Sequence, residues 1–355
     1  MTDEQTSARD VPADAADDAV PAASAAGDQP APAPAAGDQP APVTVSGGQP
    51  TPVAPAAGVL AVLALAWLLA MLSSARQAIG DSPDADPLTV TRAALELPQV
   101  ISASLIAGIA VGLTAVNLLS RLAGAAARRR LPRFGTGAGA GLLTGVAVAT
   151  PILLGYDGLP SILVLSGAVA AAAMLGGLLA GVREGAVVAA GAVGALVVFV
   201  VGLLERIFEG DLRSFFGAGE TAESVIAASG WASLTASLAA GVAAGAVGYV
   251  YLRRVGGPNL RWPAFLVAGA LPGLLILIAE AVTRIAGTRL FQLVSAASAD
   301  DQAVLNYFNA ARFNRALIVL VVGAVVATVL IGRTLRAADP ASSEDDGQPA
   351  SAGTN

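Results

Sequence analysis

The sequence predicts an all-α integral membrane protein with about eight transmembrane helices. Mean hydropathy is +0.69. Only 13% of the 355 residues are charged, whereas soluble domains carry about 25%. The chain also contains a series of apolar stretches near the length of about 20 residues that crosses the hydrocarbon layer of a bilayer. We therefore expect residues 54–336 to form one polytopic transmembrane domain whose main partner is the lipid bilayer.

The predicted spans follow the apolar stretches in chain order. They occupy residues 54–75, 97–120, a hairpin of two spans within 134–182, then 185–204, 224–252, 262–284 and 316–332. The turn of the hairpin contains Tyr156 and Asp157 beside glycine and proline. The last stretch is short, and its flanking Arg315 and Arg333 are expected to extend it by directing their guanidinium groups towards water.

Two polar tails flank the transmembrane domain. Residues 1–53 are rich in Ala, Pro, Asp and Gly and contain a degenerate ten-residue repeat, and residues 337–355 are acidic and rich in Ser and Gly. Segments with so few large apolar side chains cannot offset the entropy of chain ordering, so both tails are predicted to be disordered. The N-terminal tail is acidic where a secretory signal would be basic.

Arginine distribution predicts the orientation. Outside the tails, eleven arginines and one acid fall in one set of alternate loops, and eight arginines and thirteen acids fall in the other. Because cytoplasmic loops carry the excess of basic residues, eight spans place both termini in the cytoplasm. Abundant Ala and Gly, with arginine as the only basic side chain, indicate a high-GC bacterial genome and hence a bacterial plasma membrane.

An internal repeat is a further hypothesis. A shift of 128 residues superposes Arg133 on Arg261, Gly141 on Gly269, Leu143 on Leu271 and Gly145 on Gly273. The same shift carries spans two and three onto spans six and seven. Four-plus-four repeats of this kind are parallel, because each half contains an even number of spans.

Composition excludes several chemistries. The chain has no Cys and no His, and it also lacks Lys. It therefore has no thiolate nucleophile, imidazole base, Schiff-base lysine or Cys/His metal site. We predict no cofactor and no metal site, and we favour a protein that is not an enzyme. No strongly basic domain points to nucleic acid.

Small residues give the most regular pattern within the spans. Ser229, Ser233 and Ser237 continue into Gly241 and Gly245 at four-residue intervals along one stripe of span six. Such stripes are typical of close helix packing in lipid. The functional alternative is that the serines line a polar substrate path, with Pro272 in span seven as its hinge.

Ionisable groups near the spans are the other candidates. Glu280 lies roughly 27 Å along span seven from its cytoplasmic end, so it is expected to form an interfacial ion pair with Arg284, one turn further on. In the outer loops, residues 205–223 predict a helix lying on the membrane surface, and Ser298 followed by Asp300 predicts a helix start. The acidic residues from Asp81 to Asp86 are interpreted as a solvated loop.

Three functional classes remain open at this level. The first is a scaffold, assembly or regulatory protein that contacts other membrane proteins or a second copy of itself. The second is a permease or channel subunit for a neutral or weakly polar solute, with Ser229, Ser233, Ser237, Pro272, Glu280 and Arg284 as candidate path residues. The third is a lipid-modifying enzyme with outward carboxylates, which the scarcity of acid–base groups disfavours.

Overall fold

The computed structural model describes residues 53–79, 87–122, 132–155, 160–256, 260–288 and 299–336, all within one compact unit. Every regular element in this part of the chain is an α-helix. The helices are α1 (Val53–Ile79), α2 (Pro87–Leu122), α3 (Arg133–Gly155), α4 (Pro160–Ala180), α5 (Gly185–Ile207), α6 (Glu209–Phe215), α7 (Ala222–Val255), α8 (Trp262–Ala286) and α9 (Ala299–Arg336). The all-α prediction is confirmed.

Seven of these helices are long and apolar enough to cross a membrane, which makes the chain a multi-pass membrane protein by length and composition. They are α1, α2, α3, α5, α7, α8 and α9. The fourth predicted span corresponds to α4, which has 21 residues and a shorter described apolar stretch, Ser166–Ala180. The count of eight therefore stays a prediction.

Glycine brings α3 and α4 together at backbone distance. A Cβ at Gly141 would overlap the carbonyl oxygen of Ala173, and a Cβ at Gly145 would lie 2.6 Å from Cα of Ala170. On the facing helix, Gly177 is equally close to the backbone of Gly137. Any larger side chain at these positions would separate the two helices.

The pair α8 and α9 packs in the same way. A Cβ at Gly269 would overlap the carbonyl oxygen of Gly323, and a Cβ at Gly273 would overlap the backbone of Leu320. Helix α7 joins this pair, because a Cβ at Gly245 would lie 2.6 Å from the carbonyl oxygen of Gly323. Helix α2 packs against α4 as α7 packs against α9, because a Cβ at Gly108 would overlap the carbonyl oxygen of Ala173.

The first four long helices, α1 to α4, meet the last four, α5 and α7 to α9, through an apolar core. One cluster of buried residues includes Leu68 of α1, Ile109 of α2, Ala172 of α4, Ala192 of α5 and Leu275 of α8. Trp67 of α1 stacks on Phe199 of α5, with ring centroids 5.3 Å apart. Packing is thus continuous from the first four long helices to the last four.

Two loop predictions are met in part. Helix α9 is described from Ala299, and its predicted cap, Ser298, lies outside the described residues. Within 205–223 the structure forms the short helix α6, and its flanking Phe208 and its own Phe215 are exposed; its placement on the membrane surface stays a prediction. Its sequence neighbours Glu205 to Ile207 belong instead to the end of α5.

Other predictions lie outside the described residues. These concern the disorder of residues 1–52 and 337–355, the acidic loop from Asp81 to Asp86, and the turn containing Tyr156 and Asp157. Val53, predicted to end the N-terminal tail, begins α1. They stay predictions.

Gly141→Ala is expected to lower stability, because the added methyl group must push apart the backbones of α3 and α4. Overpacking of this kind costs about 1–3 kcal/mol, which should lower the apparent melting temperature of the detergent-solubilised protein. Gly139→Ala is the matched control, since Gly139 lies on the same helix with no neighbouring atom within 4 Å. Equal melting temperatures for the two variants would contradict the packing described.

Candidate functional site

The serine stripe of α7 divides into two parts in the structure. Ser237 is buried and its hydroxyl donates to the carbonyl oxygen of Ser233 at 2.7 Å, while Ser229 donates to the carbonyl oxygen of Val225 at 2.7 Å. Ser233 itself is exposed on the helix surface. Both bonded hydroxyls therefore donate within their own helix, and the polar path stays a prediction.

Pro272 does not break its helix. Helix α8 is continuous from Trp262 to Ala286 with this proline inside it. The ring is buried, and its Cγ would lie 2.6 Å from a Cβ at Gly194 of α5. Pro272 thus fills the space left by a glycine on the neighbouring helix, and the predicted hinge has no counterpart in a local break.

Glu280 is a buried carboxylate near the end of α8, with its side chain only 5% exposed. Its Oε1 accepts a hydrogen bond from Nε of Arg284 at 3.2 Å. The predicted ion pair between these two residues is confirmed. Arg284 itself is 54% exposed, and its guanidinium carbon lies 5.9 Å from the ring centroid of Phe313, within cation–π distance.

A second arginine on α9 holds the other oxygen of this carboxylate. Nε of Arg312 donates to Oε2 of Glu280 at 3.3 Å, and its Nη2 donates to the side-chain oxygen of Asn309. Sequence reasoning missed this contact, because it placed Arg312 in a loop rather than on the helix of span eight. The available signal was the pair Arg312 and Arg315, three residues apart and directly before an apolar stretch.

A parallel ion pair joins α9 to α5. Nη1 of Arg315 donates to Oε2 of Glu205 at 2.7 Å, and both side chains are mostly buried. The sequence predicted that Arg315 extends towards water; the structure places it against a carboxylate of a neighbouring helix instead. A desolvated guanidinium gains more from a fixed carboxylate than a fully hydrated one does, which accounts for the difference.

We call these five side chains the Glu280 cluster: Glu205, Glu280, Arg284, Arg312 and Arg315. It lies where α5 and α8 end and where the apolar part of α9 begins, which we call the Glu280 end of the bundle. Arg284 and Arg312 pair with Glu280, and Arg315 pairs with Glu205. The five side chains together therefore carry one net positive charge. Removing one member of a buried pair leaves its partner charged and desolvated, which is costly.

The cluster joins α8 and α9. Each oxygen of Glu280 accepts one guanidinium hydrogen bond, from Arg284 of α8 and Arg312 of α9. Among the described residues, no group of three or more acidic side chains that could hold a metal ion occurs. No protein-family model, curated protein or solved structure matches the chain.

Glu280→Ala is expected to destabilise the bundle by about 3 kcal/mol, because Arg312 would remain largely buried without its carboxylate. The matched control is Glu209→Ala, which removes an exposed pair with Arg213 on α6 and should cost less than about 1 kcal/mol. Thermal unfolding of both variants in detergent measures the difference. Similar losses of stability would show that Glu280 contributes no more than a surface charge.

Proposed function

We propose that this chain is a scaffold, assembly or regulatory protein of a bacterial plasma membrane, with eight spans and both termini in the cytoplasm. Its lipid-facing helices would contact other membrane proteins or a second copy of the chain. The observation that carries this proposal is the apolar core between the two groups of four long helices. A solute-conducting protein would need polar groups or hydrated space in the middle of the bilayer.

The packing of α4 supports the eighth span. This helix lies against α3 through Gly141 and Gly145 and against α2 through Gly108. Both partners are long enough to cross the membrane, and a helix packed along them would have a similar depth. With α4 counted as a span, the arginine-rich loops all fall on one side, which by the basic-residue rule is the cytoplasm.

Glycine contacts support a parallel four-plus-four repeat. Gly145 faces Ala170 in the first half, and Gly273 faces Leu320 in the second. Likewise Gly141 faces Ala173, and Gly269 faces Gly323. Each glycine of α8 lies 128 residues after its counterpart in α3, and each contacted residue of α9 lies 150 residues after its counterpart in α4. Equivalent pairs therefore recur at constant offsets, as a duplicated helix pair requires.

The third helix of this arrangement makes a similar contact in both halves, at an offset of 137 residues rather than the 128 that relates α3 to α8. Gly108 of α2 meets the carbonyl oxygen of Ala173, and Gly245 of α7 meets the carbonyl oxygen of Gly323. Ala173 and Gly323 are the equivalent positions defined by the first two helices. The repeat proposal thus extends from the pair α3–α4 to the trio that includes α2.

The buried residues at the meeting of the halves favour a packed scaffold over a permease. Ile109, Ala110, Ala192, Leu275 and Ala279 are all buried there in one cluster. None of these side chains can hydrogen-bond a solute. The hydroxyls of Ser229 and Ser237, which motivated a polar path, are bonded within α7.

Reporter fusions test the span count and the orientation. Alkaline phosphatase, which is active only outside the cytoplasm, should be active when fused after Asp157 and inactive when fused after Arg183. Green fluorescent protein should fluoresce after Arg183 and after Asn355. Active phosphatase after Arg183 would mean that α4 does not cross the membrane, and the eight-span proposal would be wrong.

Single cysteines test the scaffold against the permease, since the natural chain has no cysteine. In sealed vesicles of either orientation, Ser233→Cys and Ser237→Cys should resist a membrane-impermeant maleimide, because Ser237 is buried and the exposed Ser233 would face lipid. Ala222→Cys, at the exposed start of α7, is the reactive control. Labelling of both serine positions from water, together with solute flux in proteoliposomes, would instead establish a conducting path.

A further inference from the structure

We infer that Arg284, oriented by Glu280, binds the phosphate of a phospholipid headgroup in the leaflet at the Glu280 end of the bundle. The geometry of its guanidinium group is the starting point. Nε is used by Glu280, and within the described residues no hydrogen bond engages the two terminal nitrogens. Those nitrogens form a planar pair of donors, the arrangement that suits two oxygens of a phosphate.

The surroundings of Arg284 are those of a lipid boundary. Neighbouring Ile285 is 76% exposed and Phe313 is 42% exposed, so apolar surface borders the cation. Both α8 and the apolar part of α9 reach their limits within a few residues of it. A cation at this depth, beside exposed apolar side chains, lies at headgroup level with acyl chains next to it.

Charge balance selects a monoanion. The cluster contains the three cations Arg284, Arg312 and Arg315 and the two anions Glu205 and Glu280. No other described carboxylate forms an ion pair with them. The excess of one positive charge is costly beside hydrocarbon, and a phosphodiester, which carries one negative charge, neutralises it.

The proposed repeat supplies an internal comparison, and this step alone depends on it. At offsets of 128 and 150 residues, the positions of Glu280, Arg312 and Arg315 correspond to Ile152, Ile162 and Leu165. At these three positions the first half has apolar residues in place of one carboxylate and two guanidinium groups. Buried ion pairs seldom stabilise a fold more than apolar side chains of similar volume, so helix packing does not explain why the second half has charges.

The experiment uses the full chain in detergent and three probes: phosphatidylglycerol, diacylglycerol with the same acyl chains, and inorganic phosphate. Phosphatidylglycerol should raise the melting temperature and remain bound in native mass spectrometry, whereas the other two probes should do neither. Arg284→Gln should weaken the affinity for phosphatidylglycerol about tenfold, the effect of losing roughly one charge-assisted contact. Arg284→Lys should recover part of it.

Arg254→Gln is the matched control. Arg254 is exposed near the end of α7 that lies away from the Glu280 end of the bundle, so this variant should bind phosphatidylglycerol like the natural chain.

A phosphatidylglycerol with a photoreactive headgroup provides a measurement on the unmodified protein. It should label the segments around Arg284 and Phe313. Labelling elsewhere, equal binding by Arg284→Gln, or equal loss in Arg254→Gln would overturn the inference. Displacement of the lipid by inorganic phosphate would assign the site to a free anion instead. Because none of these measurements involves the span count or a solute path, their failure would leave the proposed function standing.

Discussion

Close contact between helix backbones is the constraint on which the rest of this structure depends. Lipid tails are as apolar as leucine side chains, so hydrophobic burial does not draw membrane helices together, and dispersion contacts must do so. Those contacts are strongest where two backbones touch, which requires glycine on at least one side. Gly141 against Ala173 and Gly269 against Gly323 meet this requirement, and each fixes the helix pair around it.

The same constraint accounts for the placement of polar groups. Helices packed on glycine and alanine leave no room for hydrated side chains between them, and the buried hydroxyls of Ser104, Ser237 and Thr283 donate to carbonyl oxygens of their own helices. Charged groups are compatible with this packing only near the ends of the helices. There Glu280 and Glu205 each find an arginine of α9, and the ion pairs join three helices without opening the core.

The two groups of four long helices differ in how much polarity they carry. The contacts of Gly145 and Gly273 are alike, yet only the second group has a buried charge cluster within the described residues. A buried carboxylate must be compensated by precisely placed donors, and Glu280 receives one on each oxygen.

The sequence by itself determined the membrane environment and most helix positions, because apolar stretches of spanning length are recognisable from neighbouring residues alone. It also gave the pair of Glu280 and Arg284, which are one helical turn apart. Only the tertiary structure brought Arg312 to Glu280 and Arg315 to Glu205, across separations of 32 and 110 residues. It alone also put Pro272 against Gly194. Such contacts depend on which helices become neighbours and how each is rotated, and local patterns do not encode either.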